Sequence, residues 1–176
     1  MADEINYAFF EGGFVPLQDA KLSIMNHSFM YGTAVFEGIR GYWNPQDQEI
    51  YVFRLREHFE RMADSMKIMY LGVKYSVDEL CDIVIQLLQK NAPKTDTYVR
   101  PCAYKTVHRV GPSLENNPSD MCIFSVPFGD YFHGAPGLKV QVSSWRRVED
   151  TAIPARAKSV GAYANTALAK TDAIMA

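Results

Sequence analysis

The sequence predicts a mixed α/β (α+β) fold in two domains, and three observations carry that prediction. Short apolar segments with strand-like alternation recur between Gly and Asn-Pro turns, two stretches in between switch to the helical spacing of three and four, and a run dense in Gly, Pro and aromatics, PFGDYFHGAPG, separates all of these from a new apolar segment. A small N-terminal α/β domain is expected over 1–133, an interdomain linker at about 127–137, and the start of a second domain over 134–176.

The opening reads as a hairpin, with strands at 7–10 and 14–17 and Glu11-Gly12-Gly13 supplying the positive φ angles of a tight turn; a meander is expected to begin there. In DAKLSIMNHSFMYG, Asp19 and Asn26 suit turns or caps. TAVFEGIRGYW is apolar and β-branched enough for a strand interrupted by Gly38 and Gly41, either as a bulge or as a place where another backbone or a ligand comes close. The Asn44-Pro45 turn leads to a further strand, EIYVF.

From Leu55 the period changes. Leu55, Phe59, Met62, Met66 and Met69 lie on one face of a helix ended by Gly72, and this methionine-rich stripe is core. Arg61 borders the stripe, so its stem can lie on the apolar edge while its guanidinium reaches an anion. A second helix begins at the capping box of Ser76 and Glu79, runs through Leu80, Ile83, Val84, Leu87 and Leu88, and ends before Pro93. TYVRPCAY and DMCIFSV are strands; Arg100 inside the first costs stability unless it meets an anion or lines a cleft. LKVQVSSW reads as one more strand, and AYANTALAKTDAIMA as a helix that stops at Ala176 without a closing residue, as expected of the front part of a longer polypeptide.

Composition narrows the function. Of 176 residues 48% are hydrophobic and 22% charged, with a net charge of −2, which lacks the basic excess of a nucleic-acid binder. No segment has the roughly 20 apolar residues of a membrane span and the N-terminus has no signal-peptide pattern, so a cytoplasmic protein is expected. Cys81, Cys102 and Cys122 form no CxxC and read as small core residues; the four histidines show no metal spacing, so no metal is expected.

Lys158 is the candidate for chemistry. It follows an Ile-Pro step in AIPARAKSVGAY, and Ala157, Ser159, Val160 and Gly161 leave room for another body to approach its ammonium. A lysine that loses hydration there becomes a neutral amine able to attack a carbonyl, and Tyr163 brings a phenol to the same local structure. Taken alone, Lys158 also fits an ordinary solvated loop lysine.

Taken together, HSFMYGTAVFEGIRGY, FRLREHFERM, YVRP, VSSWRR and IPARAKSVGAY resemble, in order and approximate spacing, the class IV (D-amino-acid aminotransferase fold) pyridoxal-phosphate enzymes, and within them the branched-chain amino acid aminotransferases. The resemblance implies the complete small domain and only the beginning of the larger cofactor-binding domain. It implies a homodimer or higher homo-oligomer, with Tyr31 close to the partner's active site. It implies reversible, ping-pong amino transfer between L-leucine, L-isoleucine or L-valine and 2-oxoglutarate. Lys158 would be the catalytic Schiff-base lysine of pyridoxal 5′-phosphate, Arg61 would hold the cofactor phosphate, and Tyr163 would bond its phenolic oxygen. Tyr31, Phe36, Gly38, Arg40, Tyr98, Arg100 and Tyr131 would line the substrate side, with Phe36 and Tyr131 as an apolar pocket and Arg100 for the side-chain carboxylate of glutamate. Phe128 stands where many members have tryptophan, and the acid that pairs with the cofactor's pyridine nitrogen belongs beyond Ala176. A D-amino-acid aminotransferase, an aminodeoxychorismate lyase and a non-catalytic assembly module are the alternatives.

Overall fold

A computed structural model describes residues 6–129, 137 and 139–176. One antiparallel sheet organises them. Its strands are β1 (Tyr7–Phe10), β2 (Gly13–Pro16), β3 (Val35–Phe36), β4 (Ile39–Asn44), β5 (Glu49–Val52), β6 (Thr97–Lys105) and β7 (Ser119–Pro127), in the order β2-β1-β7-β6-β4-β5 with β3 also on β6. The helices are α1 (His27–Tyr31), α2 (Leu55–Ile68), α3 (Val77–Asn91) and α4 (Tyr163–Met175). None of them is long and apolar enough to cross a membrane.

The hairpin forms at the expected place, with Glu11 (φ 49°) and Gly12 (φ 83°) taking the left-handed positions. It does not open a meander: β1 pairs on its other edge with β7, so the first and last strands of the sheet in chain order lie side by side. The short α1 lies in the segment where Asn26 is expected at a turn or cap, and Asn26 is its cap: the side-chain oxygen accepts the Ser28 and Phe29 N–H groups. The helix α2 stops before Gly72. Tyr70 takes the left-handed position (φ 52°), and the Leu71 N–H reaches the Met66 carbonyl at 2.9 Å, a Schellman closure that seats Leu71 in the core.

Alternation along β6 separates two faces. Val99 and Ala103, with Ile39, Val35, Met121, Ile123 and Phe9 from neighbouring strands, face α2 and α3, where Phe59, Met62, Leu80, Val84 and Leu87 bury fully. Each such side chain contributes about 1.5–3 kcal/mol by leaving water. Tyr98, Arg100 and Cys102 point to the opposite face together with Phe36 and Arg40, which lie opposite Cys102 and Tyr98.

The break between β3 and β4 has a cause on β6. Both strands share one register with it, which sets Glu37 opposite Pro101. Glu37 N–H donates to the Pro101 carbonyl at 3.0 Å, but proline has no N–H to return to the Glu37 carbonyl. The expected single strand is therefore two pieces.

The expected strand LKVQVSSW is absent: among residues 139–145 none is in a strand, and Val140 and Val142 are exposed. Alternation makes a strand only beside a partner, and none adjoins it among the described residues. This stretch is instead tied to α4, through Trp145 Nε1 to Asp172 at 2.7 Å and the Arg146 carbonyl to Asn165 at 2.8 Å. The expected boundary at 134 and most of the linker lie outside the described residues.

Candidate active site

Residues 157–161 dock along 32–36 by main-chain bonds. Val160 N–H donates to the Ala34 carbonyl at 2.8 Å, Phe36 N–H to the Lys158 carbonyl at 3.1 Å, and Gly161 N–H to the Gly32 carbonyl at 3.1 Å. Gly32 sits at φ +65°, and a Cβ there would stand 2.9 Å from the Gly161 Cα, so Gly32 needs to be glycine, while a Cβ on Gly161 would lie a tight 3.2 Å from the Gly32 oxygen. From below, the buried Ser65 of α2 accepts the Lys158 N–H at 3.2 Å. Lys158 is thus fixed by its backbone before its side chain makes any contact.

Its ammonium donates to the Tyr163 hydroxyl at 2.6 Å and lies 4.9 Å from the centre of the Phe36 ring. Tyr163, the first residue of α4, meets Phe36 edge to face at 4.8 Å. Arg100 approaches the same ring at 4.3 Å and donates through Nε to the Tyr98 hydroxyl at 3.0 Å. Gly38 makes space for that phenol: a Cβ on it would lie 2.5 Å from the Tyr98 oxygen. Phe36 is the hub, with Lys158, Tyr163 and Arg100 around it.

Arg40 and Arg61 differ from these two cations in having carboxylate partners. Arg40 pairs with Asp96 at 3.3 Å and donates to the Gly129 carbonyl at 3.0 Å, its guanidinium 5.2 Å from the Phe128 ring. Arg61 grips Glu37 with two bonds, Nε at 2.7 Å and Nη2 at 2.5 Å, and His58 Nδ1 lies 3.0 Å from the same carboxylate. The anion expected for Arg61 is therefore found within the chain, while Nη1 stays unbonded among the described residues. Burial alone would push the Glu37 carboxyl up, but the hydrogen bonds to His58 and Arg61 and their charges hold it down at about 2. Among the described residues, Lys158 and Arg100 have no carboxylate partner.

Tyr31 stands apart from the hub: its hydroxyl accepts the Gly111 N–H at 2.8 Å and its ring rests on His27 at 4.9 Å. Tyr131 lies outside the described residues. Sequence reasoning missed Glu37, His58, Ser65 and Asp96. The signal for one pair was present, since His58 and Arg61 are three apart and share a helix face.

The family model for amino-transferase class IV matches residues 34–176, which contain Phe36, Arg61, Lys158 and Tyr163. The chain belongs to the class IV aminotransferases. Relatives in this family include a probable branched-chain-amino-acid aminotransferase of Aquifex aeolicus, 43% identical over 171 residues, covering 97% of this chain and 55% of the relative. The crystal structure of a branched-chain aminotransferase from Thermoproteus uzoniensis with norvaline matches with a TM-score of 0.90 at 36% identity, over 96% of this chain and 56% of that one. That of a branched-chain amino acid aminotransferase from Thermobaculum terrenum in its PLP-form matches with a TM-score of 0.88 at 31% identity, over 98% and 56%. The chain spans about half the length of these class IV proteins.

Proposed function

We propose that the full-length protein is a branched-chain amino acid transaminase that uses pyridoxal 5′-phosphate to exchange amino groups between L-leucine, L-isoleucine or L-valine and 2-oxoglutarate. The observation that carries this reading is the Lys158 ammonium at 2.6 Å from the Tyr163 hydroxyl, on a backbone locked to residues 32–36. The residues present fit the cofactor's chemistry: an amine for an aldehyde, a phenol for its ring hydroxyl, an arginine with spare donors for its phosphate, and an aromatic wall. When bound, pyridoxal phosphate supplies the covalent attachment and the electron-withdrawing ring that acidify the amino acid's Cα–H.

The chain's own residues then have distinct tasks. Lys158 Nζ takes and returns the proton at the amino acid's Cα, and the Tyr163 hydroxyl, as its hydrogen-bond acceptor, holds the amine in place for that transfer. Arg61, oriented by Glu37, offers Nη1 to a phosphate. Phe36 gives branched side chains an apolar wall, with Tyr131 assigned to the same pocket. Arg100, without a carboxylate partner among the described residues and braced by Tyr98, receives the side-chain carboxylate of glutamate or 2-oxoglutarate, so one site serves both half-reactions in turn. Arg40 and Gly38 act on the substrate side through Phe128 and Tyr98.

Homodimerisation is part of this proposal, and so is a cytoplasmic location. Ile24, Phe29, Met25 and Tyr31 expose apolar surface on one segment, which a symmetric partner would cover. Steady-state assay of the full-length protein with L-leucine and 2-oxoglutarate tests the function: turnover is expected for this pair, and turnover confined to D-alanine would overturn the proposal.

A further inference from the structure

Cys102 and Cys122 stand directly opposite each other on β6 and β7, as free and partly buried thiols. Two bonds at the ends of this ladder fix the kind of opposition. Thr106 N–H donates to the Pro118 carbonyl at 2.9 Å, and Phe128 N–H to the Asp96 carbonyl at 2.9 Å. Both pairs continue the β6–β7 register, so every second pair between them, 102 with 122 included, is hydrogen-bonded, with Cα atoms about 5.5 Å apart. A disulfide spans that distance, although the Cβ separation of such a pair, roughly 4.5–5.5 Å, is slightly wider than a relaxed bridge has.

The two side chains share the face of the sheet that holds Phe36 and Arg100, while Cys81 packs with the core on the helix side. The neighbouring Cys122 thiol holds Cys102 below its ordinary value against the effect of burial, with the Arg100 charge helping, and Cys102 together with burial pushes Cys122 up. Arg100, two residues along the same face of β6, favours the thiolate at Cys102, and Cys122 stands directly across the ladder to resolve it.

We propose that Cys102 and Cys122 are a modification site for peroxide-class oxidants, a cross-strand dithiol that closes to a disulfide on the substrate-side face of the sheet. The Cys102 thiolate attacks one oxygen of hydrogen peroxide and the O–O bond breaks; hydroxide leaves, takes up the thiol's proton as water, and Cys102 becomes a sulfenic acid. The Cys122 sulfur then attacks the Cys102 sulfur, the S–O bond breaks, and a second water leaves with the Cys122 proton. Two thiols lose two electrons and one peroxide gains them. The wide Cβ separation makes the product reducible by ordinary thiols. None of this depends on which substrates the enzyme takes.

The test treats full-length protein with equimolar hydrogen peroxide, then titrates free thiols and maps peptides by mass spectrometry without reduction. Two thiols should disappear, a peptide pair joining Cys102 to Cys122 of the same chain should appear two hydrogens lighter, and dithiothreitol should restore both thiols. Cys102→Ser and Cys122→Ser should each abolish the linked pair, and Cys81→Ser should leave it intact. Full retention of both thiols, oxidation to sulfinic acid without linkage, or linkage through Cys81 would overturn the proposal.

Discussion

Arg61 meets Glu37 through two parallel hydrogen bonds, and the Glu37 side chain is wholly shut off from solvent while that of Arg61 is 58% exposed. A buried carboxylate with one exposed cationic partner and a histidine beside it is a positioning device: it fixes the plane of a guanidinium whose outer edge faces away.

Glu37→Gln removes that anchor's charge and leaves Arg61 unpaired. The drop of the Glu37 carboxyl from 4.5 to about 2 corresponds to roughly 3 kcal/mol, so the variant should lose about 2–3 kcal/mol of stability. Because the folded-state value lies below the unfolded one, this stabilisation is complete above about pH 5 and is lost as pH falls towards about 2. Denaturation of full-length protein across that window should show a steeper acid loss in wild type than in Glu37→Gln. Parallel curves would mean that Arg61 and His58 do not hold the carboxylate as described.

Arg100 and Arg40 share the open face, but only Arg40 has a carboxylate partner among the described residues. Arg100→Met should therefore cut kcat/KM for glutamate and 2-oxoglutarate by about 2–4 kcal/mol equivalent, and for leucine by no more than about 1 kcal/mol. Arg40→Met should show no such split, because it removes the ion pair with Asp96, whose carboxylate keeps only the Trp43 N–H among the described residues, and acts on both half-reactions alike. Single-turnover spectroscopy of each half-reaction separates the cases, and equal losses in Arg100→Met would assign Arg100 to a group common to both substrates.

Gly38→Ala, in the break between β3 and β4, would press a methyl against Tyr98, 2.5 Å from its oxygen and 3.0 Å from its ring. The expected cost is about 1–3 kcal/mol, with Tyr98 displaced from Arg100 and KM for 2-oxoglutarate raised more than KM for leucine. Tyr98→Phe in the same background should recover stability by removing the closest clash, without recovering the 2-oxoglutarate KM. Recovery of both would show that the Tyr98 hydroxyl does not brace Arg100.

Much of the fold was legible because each element obeys one period. The stripe from Phe59 to Met66 and the capping box at Ser76 appear where the spacing put them. What stayed hidden depends on register. Glu37 looks like one polar residue inside a strand, and only its pairing opposite Pro101 turns it towards α2, where His58 and Arg61 meet it. The same holds for Cys102 and Cys122, twenty residues apart in sequence but opposite in space. Residues 139–142 fail for the converse reason: their alternation is sound, but a strand needs a neighbour. Among site residues, Lys158, Tyr163, Phe36 and Arg100 gather as a group, whereas Tyr31 belongs to a separate contact with Gly111.

Lys158 as the residue that holds pyridoxal phosphate underlies the proposed function, and the visible absorbance spectrum of full-length protein after addition of the cofactor addresses it directly. Wild-type protein should keep a visible band through gel filtration, and L-leucine should bleach it. Lys158→Ala should show neither that band nor transamination, while its thermal stability stays close to wild type, because the segment is held by the backbone bonds of Val160, Phe36 and Gly161. A Lys158→Ala variant that keeps the band and normal turnover would contradict the assignment.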